Sequence, residues 1–139
     1  MLLFEAPHEP PRPATTAKPG VASVTRRRLA LFAGCAAAAL VGLALGDPAP
    51  RMAADPEIAV LLRGMATIKA ALVLAAIALI AWRLGRPESS RFATVYIVGA
   101  AVMAGTTALI WQLTALPAAA VAFHAAEITL LVAAWRDLG

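Results

Sequence analysis

Charge is scarce in this chain: 14% of its 139 residues are charged, eight of them acidic, and it holds one cysteine, one tyrosine and two histidines. A lone cysteine, Cys35, excludes an internal disulfide framework and any metal motif built on paired cysteines. Of the histidines, His8 stands in a proline-rich N-terminal stretch and only His124 lies in an apolar run, so one copy of the chain cannot complete a bis-histidine haem site. Glu127 is the sole acid inside any long apolar run, whereas a carboxylate-bridged metal centre draws acids from several helices. There is no glycine-rich phosphate loop, no nucleophile elbow and no HExxH, and nothing near Cys35 in sequence activates its thiol. An autonomous enzyme is therefore not expected, and no metal or cofactor is assigned.

What the chain does contain is apolar. Hydrophobic residues make up 61% of it, far from the composition of a soluble domain, in which about a quarter of the residues are charged. The bilayer is the expected solvent and first partner. The net charge of +4 does not point to nucleic acid, because the basic residues sit beside apolar segments, as the flanks of membrane spans do.

The sequence predicts an all-α integral membrane four-helix bundle preceded by a disordered tail. Residues 1–25, which include "EAPHEPPRPATTAKPGVAS", are rich in proline and lack a sustained apolar period, a composition that does not repay the entropy of ordering. His8 is read as an exposed tail residue. Residues 26–139 form the membrane domain, with spans at about 29–46, 58–82, 92–114 and 117–135, each near the length that crosses a hydrocarbon core of about 30 Å. Asp55, Pro56 and Glu57 supply a cap, a first-turn proline and a first-turn acid for the second span. Gly85 and Pro87 are expected to end it, with Ser89 or Ser90 capping the next. The short "TALP" link requires the third and fourth spans to form a tight antiparallel hairpin.

Orientation follows from the basic residues. Arg26, Arg27, Arg28, Arg83, Arg86, Arg91 and Arg136 fall at one end of the four spans, against Arg51 and Arg63 at the other. The positive-inside rule then places both termini in the cytoplasm, in an inner membrane, with Trp82 and Trp135 at the cytoplasmic interface. The first span also carries features of an export signal: "TRRRLA" is similar to a twin-arginine pattern and "FAGC" to a lipoprotein cleavage site. About 18 apolar residues exceed a usual signal core, so retention as a span is expected; cleavage would leave three spans in the same orientation. Along this span Gly34, Ala38, Gly42 and Gly46 recur every four residues, a stripe of small side chains on which another helix can approach closely.

The polar residues of the spans can be ranked by depth at 1.5 Å of rise per residue, counting from the two tryptophans. Glu127 lies roughly 12 Å above the inner interface, His124 roughly 16 Å and Lys69 roughly 20 Å, with Thr106 and Thr107 at a similar height. A charge at such depth costs on the order of 3 kcal/mol against lipid, so these groups are expected to be sheltered by protein or water and to find one another. Lys69, Thr106, Thr107, His124 and Glu127 are accordingly expected to form one internal polar layer. Three functions fit: a non-catalytic subunit or assembly factor of a larger membrane complex, with another membrane protein or a second copy as partner; an oligomeric proton-coupled transporter of small molecules using Glu127 and Lys69; and a haem- or quinone-associated anchor using His124. The first is favoured, because close-packing helix faces are plainer in the sequence than a transport path.

Overall fold

The computed structural model describes residues 20–86 and 89–138, so the opening "MLLF", His8, Pro87 and all of the expected tail but residues 20–25 lie outside it. The described chain is all-helical: α1 (Val21–Ala44), α2 (Ala49–Ala54), α3 (Pro56–Arg83), α4 (Ser90–Trp111) and α5 (Leu116–Leu138). Four of these, all but α2, are long and apolar enough to cross a membrane, and the protein is an integral membrane protein.

Local chemistry sets most helix boundaries. Asp55 accepts a hydrogen bond from the Ile58 amide at 3.0 Å, with Pro56 in the first turn of α3, and Ser89 accepts from the Phe92 amide to start α4. Two boundaries differ from expectation. Helix α1 begins at Val21, ahead of its apolar run, because arginine is a good helix former and Gly20 provides an extended N-cap; residues 21–25, expected as the end of a disordered tail, are therefore its first turn and more, and Arg26, Arg27 and Arg28 ride on the helix. The short α2, hidden by the prolines of "DPAPRMAA", starts where Asp47 accepts from the Ala49 amide at 3.0 Å. Helix α3 ends through the tight bonds Gly85 N–H to Trp82 C=O and Arg86 N–H to Arg83 C=O, and Gly85 does not take the left-handed conformation.

That conformation falls instead on two residues with side chains in the α4–α5 link, Leu113 (φ 55°) and Ala115 (φ 48°). The Thr114 amide reaches back to Leu109 and the Leu113 amide to Ile110, a paired closure that satisfies the last carbonyls of α4. Burial of the Leu113 side chain offsets its backbone strain. Ala115 is exposed and has no such compensation. Ala115→Gly is expected to stabilise the hairpin by about 1 kcal/mol, read as a higher midpoint in thermal unfolding in detergent.

Helix α4 is the hub. Buried residues occupy a broad arc of it, from Ala93 to Ile110, leaving an exposed stripe through Thr94, Val98 and Val102, and α1, α3 and α5 each pack on it. Helix α3 presents a single narrow seam, Ala59, Ala66, Val73 and Ile80, seven residues apart. Helix α5 presents Ala119, Phe123, Ala126, Leu130 and Ala133, the alternating four-and-three spacing of a coiled-coil seam. Helix α1 lays its small residues on α4: a Cβ added at Gly42 would stand 2.5 Å from the Gly105 carbonyl oxygen and 2.8 Å from the Ala108 Cβ, and Gly105 in turn lies against Ala38. Gly46 is against Gln112, whose amide donates to the Leu43 carbonyl at 2.9 Å, while Gly34 has its nearest neighbours at 3.9 Å. At the opposite end of α1, Arg28 Nε donates to the Ala81 carbonyl at 2.9 Å and ties α1 to the end of α3. These contacts make α1 parallel to α4 and antiparallel to α3.

Candidate functional site: a polar chain between α3 and α5

Helices α3 and α5 both lean on α4 and meet each other only through side chains that bridge the cleft between them. Lys69 crosses it. This lysine of the second span extends over the ring of Phe123, with Nζ 3.8 Å from the ring centroid, and reaches His124 Nε2 at 3.5 Å. Phe123 itself is fully buried and sets the floor, and the His124 ring stands edge-on to it at 86°. One helical turn along α5, Glu127 Oε2 lies 3.1 Å from His124 Nδ1.

The three groups form one chain of contacts, and its polarity can be assigned. Lysine only donates, so His124 Nε2 accepts, and Nδ1 then carries the proton that is donated to the carboxylate. An i, i+3 His–Glu pair offers two ligands to a metal at most, and among the described residues no three His, Cys, Asp or Glu side chains are gathered.

The chain of contacts lies at the rim of the bundle. The His124 side chain is 60% exposed and that of Glu127 38%. Thr106 and Thr107 are buried elsewhere: their hydroxyls donate to the Val102 and Met103 carbonyls of α4 itself, and neither meets Lys69, His124 or Glu127. A threonine hydroxyl in a helix finds an acceptor one turn back, so depth alone did not bring these two into the chain.

A second polar cluster closes the same side of the bundle at the arginine-rich end. Asp137 Oδ2 receives Arg83 Nη2 at 2.7 Å and the Tyr96 hydroxyl at 3.0 Å, and the Asp137 side chain is only 6% exposed. Sequence reading treated Arg83 as a membrane flank and passed over Tyr96 and Asp137. The depth count would have found them, because Arg83 follows Trp82, Asp137 lies two residues beyond Trp135, and Tyr96 is near the start of α4. Between the two clusters lie roughly 20 Å of α3, with Val73 and Ile80 facing inward beside Leu130 and Ala133 of α5.

No protein-family model matches the chain, and no curated protein or solved structure is detectably similar to it.

Proposed function

We propose that the protein is a non-catalytic subunit of a membrane complex and that it binds another transmembrane polypeptide across the cleft between α3 and α5. The observation that carries this reading is the lateral opening of His124 and Glu127 in the middle of a membrane-spanning helix. Ionisable groups at that depth are costly against acyl chains, and a covering helix with a hydroxyl or amide group removes the cost while gaining a polar contact. The asymmetric arginines support an orientation with both termini in the cytoplasm, as in an inner membrane.

A photoreactive side chain at Leu72, one turn from Lys69, or at Ile128, one turn from His124, is expected to give a discrete protein adduct in native membranes. The same probe at Val98, on an exposed stripe of α4, serves as the reference. The adduct should weaken severalfold in Glu127→Gln and His124→Ala. Adducts to lipid alone at both cleft positions would end this reading.

A proton-coupled carrier using Glu127 and Lys69 has one observation in its favour, the continuous Lys69–His124–Glu127 chain. The apolar packing between that chain and the Arg83–Asp137–Tyr96 cluster weighs against a pathway within one copy. Haem or quinone anchoring is weaker still, since both ring nitrogens of His124 already have partners.

A further inference from the structure

On the far side of α3, a groove of about 680 Å³ runs between α1 and α3 with α4 as its floor. Its walls are apolar, with Phe32, Cys35 and Ala39 on α1 facing Ala70, Val73 and Ile77 on α3. One end is shut: Arg28 straps α1 to the Ala81 carbonyl, and Leu31 and Leu84 are fully buried there. Toward the other end the walls are Leu43 of α1 and Ala66 of α3, and the chain passes from α1 to α3 by way of α2. From Ala66 to Ile77 the groove covers twelve residues of α3, roughly 16 Å from first to last. That is about half of a hydrocarbon core of about 30 Å, the depth of a single leaflet.

The mouth carries an uncommitted charge. Trp111 lines the groove at its open end, and the Arg63 guanidinium lies over the Trp111 ring with Cζ 5.3 Å from the centroid. Arg63 Nε is buried without a hydrogen-bond partner. Among the described residues no carboxylate pairs with Arg63; Asp47 and Asp55, at the same end of the bundle, accept from the Ala49 and Ile58 amides. A cation held beside an interfacial tryptophan, above an apolar slot one leaflet deep, complements a phospholipid: its phosphate accepts from the remaining guanidinium N–H groups while one acyl chain fills the slot.

We propose that the α1–α3 groove is a binding site for one phospholipid, with Arg63 as the phosphate ligand. The site shares no residue with the α3–α5 cleft and does not depend on the function proposed for it.

Native mass spectrometry of the detergent-purified chain tests this, using dioleoylphosphatidylglycerol as the probe and dioleoylglycerol, which has the same chains and no phosphate, as the comparator. One phosphatidylglycerol per chain should be retained. Arg63→Gln should weaken its retention roughly tenfold, while leaving retention of dioleoylglycerol unchanged. Ala70→Phe, which fills the slot and leaves the charge in place, should abolish retention of both. Val98→Phe, on the exposed stripe of α4, should alter neither. A graded ladder of adducts that neither Arg63→Gln nor Ala70→Phe changes would overturn the proposal, as would equal retention of the two lipids by the unmodified chain. If Arg63→Gln does not purify as a single species, Ala70→Phe tests the slot, and Arg63→Lys, which keeps the charge and should keep the preference for phosphatidylglycerol over dioleoylglycerol, tests the phosphate ligand.

Discussion

Replacing Asp137 by alanine is expected to lower the stability of the bundle by about 3–5 kcal/mol, the cost of breaking a buried ion pair from one side. The carboxylate is almost fully enclosed and the Arg83 side chain is only 17% exposed, so solvent screens the pair little. Its loss leaves the guanidinium without its carboxylate and takes an acceptor from the Tyr96 hydroxyl. Asp137→Asn should lose less, because the amide oxygen still accepts from Tyr96 and from Arg83. The double variant Arg83→Met, Asp137→Leu should recover most of the loss, since neither charge is then stranded. Equilibrium unfolding in mixed micelles, arranged as a double-mutant cycle, measures the coupling. A cycle that returns no coupling would reduce the cluster to a surface contact.

Substitution at Gly42 is the second large effect expected. A methyl group there meets the Gly105 carbonyl and the Ala108 side chain, and the backbone cannot yield as a flexible side chain would. Gly42→Leu should therefore push α1 off α4 at a cost of about 3 kcal/mol, the upper part of the range for overpacking. Gly34→Ala, two turns away on the same stripe, has its nearest neighbour at 3.9 Å and should gain up to about 1 kcal/mol from helix propensity. Cys35 is the chain's lone cysteine and is buried at 5% exposure, so it reports the separation directly. Its labelling by a small maleimide in detergent should accelerate strongly in Gly42→Leu and stay slow in Gly34→Ala. Equal labelling rates in the two would show that α1 does not depend on this close approach.

The fold was legible in the sequence to the extent that it rests on local rules. The length of each apolar run, the Asp55 and Ser89 caps and the short link before Leu116 each act within a few residues, so they determined the number of spans and the hairpin direction, while the short α2 went unread. The start of α1 was misplaced because an apolar run marks where lipid begins, whereas the helix continues through arginines that favour it equally well. Glycine was expected to end α3, and the helix stops at Arg83, just ahead of Gly85, but the left-handed residues lie elsewhere, at Leu113, where burial offsets the strain, and at exposed Ala115.

The candidate sites divide in the same way. Depth along a helix is linear in residue number, so counting brought Lys69 level with His124 and Glu127, and the three do meet. The count is silent on direction around the axis, which is why Thr106 and Thr107, at similar height, proved to be turned toward their own helix. What the sequence by itself determined was the solvent, the four spans, and the height of every polar group within them, because each follows from hydropathy and a constant rise per residue. Only the tertiary structure decided that α4 is the hub, that the lysine, histidine and glutamate open sideways at a rim, and that α1 and α3 part to leave a groove. Those features depend on the azimuth at which helices meet, and azimuth is set by how side chains from distant segments fit together.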